Sequence, residues 1–171
     1  MRYTLRFVVA VFAVIGFVSS VQQVLGQGAP TFEGRTFTHI GMVVPDVEKT
    51  AEVLSEIWGV EVPGIFEVPQ VSYPPNATGD RDASVKLAQL DLDNLRIELL
   101  EPTGGPSPYR SWLDEHGAGI NHIAFAVNDI PESIRVLETK GGTWVMGDAT
   151  SPYGHVDMPD LGIFIELGTA Q

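Results

Sequence analysis

The chain repeats itself. His39-Ile40-Gly41-Met42-Val43-Val44-Pro45-Asp46-Val47 returns 83 residues later as His122-Ile123-Ala124-Phe125-Ala126-Val127-Asn128-Asp129-Ile130. At the same offset Val53-Leu54 meets Val136-Leu137, Gly59 meets Gly142 and Val62 meets Val145. Each copy closes on a second matched segment, Ile97-Glu98-Leu99 and Ile165-Glu166-Leu167. Each half thus opens on a strand-like run with one His and ends on one with one Glu. Such a duplication constrains the chain to a pseudo-twofold fold, with two imidazoles and two carboxylates converging at its centre.

Between those landmarks the two halves read alike. Thr36 to Val44 is strand-like, and Asp46 is placed to cap a helix over Val47 to Trp58, whose apolar positions follow helical spacing. Gly59 stops it. Strands are expected over Val60 to Val68, Ser84 to Leu92 and Leu95 to Leu100, the last two joined by an Asp93-Asn94 turn. Ser107 and Pro108 begin a link helix to His116. The second half follows with a strand over Asn121 to Val127, a helix over Ile130 to Lys140, and strands at Thr143 to Met146, near His155 to Met158, and at Gly162 to Gly168. The expected fold is α+β: two tandem βαβββ modules, about 36–101 and 119–168, with the link helix at 107–117. His and Glu lie 59 residues apart in the first copy and 44 in the second. The surplus matches the Pro/Gly/Asn/Asp-rich stretch Pro69 to Asp82, and loops of that length are often lids or binding loops.

Residues 1–26 read as a secretory signal: Arg2 and Arg6, then an uncharged apolar run from Phe7 to Val18, with cleavage placed after Gly26. A retained membrane anchor is the alternative, since Phe7 to Gly26 has about the ~20 residues a span needs. Residues 27–35 form a leader, and 36–168 a single domain. The expected location is periplasmic or extracellular, without stable membrane association once the signal is cleaved. No cysteine is present, so neither disulfide nor thiolate ligand enters. Without Arg2 and Arg6 the chain keeps 8 basic and 22 acidic residues. That balance excludes nucleic acid, whose affinity comes from cationic contacts to phosphate, and disfavours anionic membranes. The expected partner is a small-molecule substrate, with a homodimer left open.

Alternate strand residues share a face. His39 therefore shares one with Gly41 and Val43, His122 with Ala124 and Ala126, Glu98 with Arg96 and Leu100, and Glu166 with Phe164 and Gly168. The small neighbours leave space beside the polar groups. A carboxylate inside runs as apolar as those around Glu98 and Glu166 is costly to bury unpaired. One strand His or one strand Glu usually has a structural or solvated role. Two of each, at matching places in two copies, point instead to one metal site of His39, Glu98, His122 and Glu166.

These segments resemble the vicinal oxygen chelate superfamily, which includes glyoxalase I, extradiol dioxygenases and methylmalonyl-CoA epimerases. The likeness covers roughly 36–168. It rests on Thr38-His39-Ile40-Gly41 with Val44-Pro45-Asp46, on Glu98-Leu99-Leu100-Glu101-Pro102, on Ser107-Pro108 to Gly119, on Asn121-His122-Ile123-Ala124-Phe125, and on Ile165-Glu166-Leu167. It is greatest to the epimerases. By position, the resemblance makes His39, His122 and Glu166 metal ligands. Glu98 falls where some epimerases carry Gln and other members an acid. One divalent ion (Zn, Co, Mn, Ni or Fe) suits two imidazoles and two carboxylates, and four protein ligands on an octahedral ion leave two positions for substrate oxygens.

The chemistry implied is polarisation of a carbonyl and abstraction of the proton alpha to it, with Glu166 or Glu98 as the base. The epimerases also show an acid on the strand before that of Glu98. Here that strand reads Ser84-Val85-Lys86-Leu87-Ala88-Gln89-Leu90-Asp91-Leu92, without Glu, and Lys86 is the candidate second acid/base. His116 is assigned to the helix end and His155 to a turn near a strand start, outside the ligand set, with a place at the mouth of the site as its alternative. Export conflicts with a coenzyme A ester, and no basic cluster marks a coenzyme A pocket. The expected function is a metal-dependent epimerase- or isomerase-like enzyme. The alternative is an exported glyoxalase-like lyase, or a protein that binds a metal-chelated small molecule.

Overall fold

A computed structural model describes residues 34–69, 74–75 and 83–169. The expected signal segment 1–26, most of the leader and nearly all of the Pro69 to Asp82 loop lie outside the described residues. Among the described residues, no helix is long and apolar enough to cross a membrane.

The elements run β1 (Thr36–Val43), α1 (Val47–Trp58), β2 (Ile65–Pro69), β3 (Ala83–Asp91), β4 (Arg96–Gly104), α2 (Pro108–His116), β5 (Gly119–Val127), α3 (Ile130–Glu138), β6 (Thr143–Met146), β7 (Tyr153–Met158) and β8 (Ile163–Thr169). The βαβββ unit occurs twice, with α2 between. One mixed sheet holds the strands in the order β2-β3-β4-β1-β5-β8-β7-β6. That order is the same from either end, each module placing its first strand at the middle. β1 and β5 meet antiparallel there, flanked by parallel partners β4 and β8. The duplicated sequence has become a pseudo-twofold.

Both module helices start as the sequence requires. Asp46 accepts from the backbone N–H of Lys49, and Asp129 from that of Glu132, at 2.9 and 2.8 Å. Gly59 ends α1 in the left-handed region at φ 66°. Two boundaries differ from expectation. β2 begins at Ile65 rather than Val60, because Pro63 supplies no N–H and Val60 to Glu61 serve the end of α1, with Val60 N–H donating to Ser55 O. β4 runs on to Gly104, paired with β3 up to Ala83, beyond the expected strand end at Leu100.

The sheet separates two environments. On one face α1 covers Ala88, Leu90, Ile97 and Leu99, and α3 covers Val127, Val156, Ile165 and Leu167, all buried. On the other, Val43, Val85, Leu100 and Met146 gather around Tyr109 of α2. Alternation along β4 sends Ile97 and Leu99 to the helices, and Glu98 and Leu100 to the α2 side. The same rule puts Glu166 on the α2 side, between Ile165 and Leu167.

Candidate metal centre

Pairing across the middle of the sheet explains how four polar side chains from four strands come together. In one row of partners Gly41 stands between Glu98 and His122. In the next, Ala124 stands between His39 and Glu166. Each row has a ligand at either side and a nearly empty position in the middle. The register of β1 on β5 shifts just before His39 and just after Gly41, the kind of irregularity that re-aims strand side chains. The space at Gly41 is filled by the site itself. A Cβ there would lie 1.9 Å from Cε1 of His122. The space expected beside the small neighbour is taken by an imidazole ring.

The four side chains converge tightly. Nε2 of His122 lies 3.1 Å and Nε2 of His39 3.2 Å from Oε2 of Glu166. The two Nε2 atoms are 3.3 Å apart, and Oε2 of Glu98 is 3.6 Å from His39 and 3.9 Å from His122. All four ligand atoms fall within 4.8 Å of one another. With metal–ligand bonds of about 2.1 Å, neighbouring ligands on an ion stand roughly 3.0 Å apart in an octahedron and roughly 3.4 Å in a tetrahedron. The observed spacings run from just above the octahedral value to somewhat beyond the tetrahedral one, so the residues present fit a divalent ion.

A second layer fixes the ligands. Nδ1 of His122 donates to Oδ1 of Asn121 at 3.1 Å, which leaves the Nε2 lone pair facing the centre. Both residues are fully buried. Nδ1 of His39 lies 3.2 Å from the Thr38 hydroxyl. Gln89 donates from Nε2 to Oε1 of Glu98 at 3.0 Å. His155, which the sequence reading set aside, is buried here with its Nε2 3.3 Å from Oε2 of Glu166 and 2.8 Å from the hydroxyl of Tyr109. The signal that finds it is the repeat itself. Gln89 is the β3 partner of Glu98, and His155 is the β7 partner of Glu166.

Electrostatics separates the two ligand histidines. Burial lowers the pKa of His122 below 6.5, only partly opposed by Glu166. For His39, burial acts in the same sense, but the hydrogen bond it donates to Glu166 and the charges of Glu166 and Glu98 outweigh it and raise the pKa. Burial pushes the Glu166 carboxyl up, yet His155, His122 and His39 together hold it well below the usual range. Burial, then Glu166 and Glu98, keep the Tyr109 phenol protonated far into the alkaline range.

Lys86 is not brought into the site. It shares strand parity with Ala88 and Leu90, so its ammonium emerges on the α1 side, 3.0 Å from Glu48 and 3.9 Å from Glu101. The β3 residues that face the α2 side are Val85, Leu87 and Gln89, and none is an acid. A second acidic group, Asp46, Glu48 and Glu101, also lies close enough for an ion. Its members are already engaged: Asp46 caps α1, Glu48 pairs with Lys86, and Glu101 accepts from the Val47 N–H. His116 stays at the end of α2, stacked on Trp112.

Beside the two carboxylates lies a cavity of about 160 Å³, lined by Glu98, Glu166, His155 and Tyr109 and walled by aliphatic side chains from β3, β4 and β6.

The comparisons agree with this geometry. Residues 38–157 match the model of the glyoxalase/bleomycin resistance protein/dioxygenase superfamily. An ethylmalonyl-CoA/methylmalonyl-CoA epimerase of Cereibacter sphaeroides is 31% identical over 124 residues, 72% of this chain and 83% of that protein. Human mitochondrial methylmalonyl-CoA epimerase is 30% identical over 71% of this chain. The matched stretch spans 62% of the mouse protein and 64% of the human one. The Mycobacterium tuberculosis methylmalonyl-CoA epimerase superposes with a TM-score of 0.54 at 22% identity, over 85% of this chain and 94% of that one. A methylmalonyl-CoA epimerase solved with methylmalonyl-CoA and NH4+ gives 0.56 at 23% identity, over 81% and 96%. The duplicated βαβββ unit, the central cluster and the matched family model agree: this chain belongs to the glyoxalase/bleomycin resistance protein/dioxygenase superfamily.

Proposed function

We propose that the chain is a metal-dependent isomerase- or epimerase-like enzyme that abstracts a proton alpha to a carbonyl of a chelated substrate. The observation that carries this reading is the placement of Glu98 and Glu166. Each has an oxygen in the cluster, and both line the cavity beside it. A bound divalent ion would supply Lewis acidity that makes the alpha proton acidic. The chain's residues supply the rest. His39 and His122 hold the cluster in register. Asn121 and Gln89 orient His122 and Glu98. Glu98 and Glu166 are the carboxylates within reach of a proton at the cavity floor. The aliphatic wall excludes water, which strengthens every charge interaction inside.

The likeness to methylmalonyl-CoA epimerases supports the reaction type. Specific use of that substrate is less well supported, because the β3 positions facing the site are Val85 and Leu87, not an acid. Tyr109 and His155 stand at the opposite wall, and their hydrogen-bonded pair is the nearest polar group to Glu166 outside the cluster. The second reading, a binding or lyase protein for another chelating small molecule, is favoured by this same absence of an acid on β3.

Incubation of the metal-loaded protein with 2-substituted acyl thioesters and 2-hydroxy ketones in deuterated water tests the proposal. Deuterium entering the alpha position, and stopping on metal removal, is the expected result. Tight binding of such compounds without any exchange contradicts it and favours the binding protein. We further propose that the protein acts outside the cytoplasm, supported by Arg2, Arg6 and the apolar run after them. A mass spectrum of the protein from its host that shows an intact Met1 on a soluble cytoplasmic product refutes that.

A further inference from the structure

The two hairpins that carry Glu98 and Glu166 differ at their next pair of residues on the same face. One step beyond Gln89 and Glu98, Asp91 stands opposite Arg96. One step beyond His155 and Glu166, Asp157 stands opposite Phe164. In the first module Nε of Arg96 donates to Oδ1 of Asp91 at 2.6 Å and holds that carboxyl below its usual range. In the second module the aspartate is kept and the arginine is replaced by an uncharged ring. Burial, then the charge of Glu115, raises the Asp157 carboxyl above its usual range, with His116 in opposition. His116 is itself stacked on Trp112. The ion pairs of lysine and arginine among the described residues lie elsewhere: Lys86 with Glu48 and Glu101, Arg96 with Asp91, and Arg135 with Glu132.

Where the arginine is missing there is space. A cavity of about 430 Å³ lies between α2 and this part of the sheet, with Asp157 and Glu115 as its carboxylates and Phe164, Trp112, Val145 and Pro108 as its apolar wall. It shares no lining residue with the cavity beside Glu98 and Glu166. Its lining runs from residue 108 to residue 164, inside the continuous described stretch 83–169. The volume falls within the roughly 300–1,000 Å³ of small-molecule sites. The rings of Trp112 and Phe164 meet edge to face with centroids 5.6 Å apart. Two carboxylates and two aromatic rings on one cavity attract a cation, by charge and by the electron-rich ring faces.

We propose that this cavity is a second binding site, for a small guanidinium compound with a short apolar stem, whose head takes at Asp157 the place that Arg96 takes at Asp91. The site is separate from the metal centre and stands whatever reaction that centre performs. The planar fork of a guanidinium matches a carboxylate, as the first module shows within its own chain. The head pairs with Asp157 beside the Phe164 ring, Glu115 adds negative charge from the rim, and the stem lies along Trp112 and Val145.

Butylguanidinium and butylurea test this. Their heads are planar and of the same size, their stems are identical, and they differ by one positive charge. Both are titrated into the whole protein at fixed metal content and followed by NMR, with the Trp112 indole N–H and the His116 ring as reporters of the site. Butylguanidinium is expected to shift both reporters and to bind roughly tenfold or more tightly than butylurea, the scale of one charge-assisted hydrogen bond. Asp157→Asn is expected to weaken it by about the same factor. Phe164→Arg, which supplies the missing arginine from the chain itself, is expected to abolish binding. If that variant does not fold, Asp157→Asn decides alone. Asp91→Asn, at the equivalent place in the first module, is expected to leave the affinity at Asp157 unchanged. Equal binding of the two compounds, an affinity unchanged in Asp157→Asn, shifts confined to the surroundings of Glu98 and Glu166, or no binding of butylguanidinium at millimolar concentration each overturns the proposal.

Discussion

The two modules share a frame and differ in what surrounds the ligands. Gly41 in the first module and Ala124 in the second hold the same repeat position, two residues beyond His39 and His122. Gly41 must be bare, since the His122 ring occupies the place of its Cβ. Ala124 keeps its methyl and is buried. Gln89 and His155 are likewise the hairpin partners of Glu98 and Glu166. Gln89 is an exposed amide that holds one oxygen of Glu98. His155 is buried, with Tyr109 behind it. Duplication therefore supplied the symmetric ligand positions, and later divergence placed a solvated amide beside one carboxylate and a buried imidazole–phenol pair beside the other. The second module buries the partner of its carboxylate, and the first leaves that partner exposed.

The difference can be broken first at its tightest point. Gly41→Ala puts a methyl into the His122 ring, so the ring or the strand must shift. We expect metal affinity to fall by orders of magnitude and stability by about 1–3 kcal/mol, the usual cost of overpacking. Ala124→Gly, the exchange in the other direction, is expected to cost only about 1 kcal/mol and to keep the metal. Equal losses in the two variants, read by calorimetric unfolding and metal analysis, would show that the asymmetry is illusory.

Next comes the surrounding layer. His155→Phe removes a partner of Glu166 and strands the Tyr109 hydroxyl in the interior, which costs about 1–3 kcal/mol. Gln89→Leu alters a half-open hydrogen bond and should change stability by less than about 1 kcal/mol, while loosening Glu98 enough to weaken metal binding measurably. A chemical denaturation series on both variants checks the ordering.

Acidity gives a third contrast. Ligands must be deprotonated to hold a cation. The pKa of His39 is raised above 6.5 by its partners despite burial, and that of His122 is lowered by burial. On acidification, His39 is therefore the imidazole that a proton contests first. In the metal-free protein the signs are separate. The raised pKa of His39 contributes stability that is complete below 6.5 and is lost as pH rises through the folded value. The depressed pKa of Glu166 contributes stability that is present above 4.5 and is lost as pH falls through its folded value. The lowered pKa of His122 has the opposite sign to that of His39, its contribution being present above 6.5 and lost as pH falls, so the expectation is for the ion itself: chelator should be most damaging at or above neutral pH, where both imidazoles are free to hold a cation. A chelator effect that grows toward acid pH contradicts this assignment.

The smallest effect is expected at Lys86. Its ammonium faces Glu48 and Glu101, so Lys86→Met should leave metal content unchanged and any deuterium exchange within about twofold, since exposed ion pairs contribute little. A large rate loss would put Lys86 back in the site.

The sequence carried most of the frame because a repeat reports architecture directly. Helix caps at Asp46 and Asp129 and the parity of Glu98 within β4 follow from local rules and are seen in the structure; the repeat singled out His39, Glu98, His122 and Glu166, and the structure brings their side chains together. Lys86 was separable in principle by the same parity, since it stands an odd number of residues from Gln89. His155 was not visible from its own turn, because its place comes from the β7–β8 register, which only comparison with the Gln89–Glu98 pair of the first copy exposes. The site of Gly41 was legible as a small residue, but what fills the space depends on the β1–β5 irregularity.

The most direct measurement is metal content of the purified protein and of its His39→Ala, His122→Ala double variant, after identical exposure to divalent transition metals and dialysis. The account predicts about one ion per chain in the first, close to none in the second, and a drop in thermal stability of the unaltered protein when the ion is chelated. Full occupancy of the double variant would contradict it.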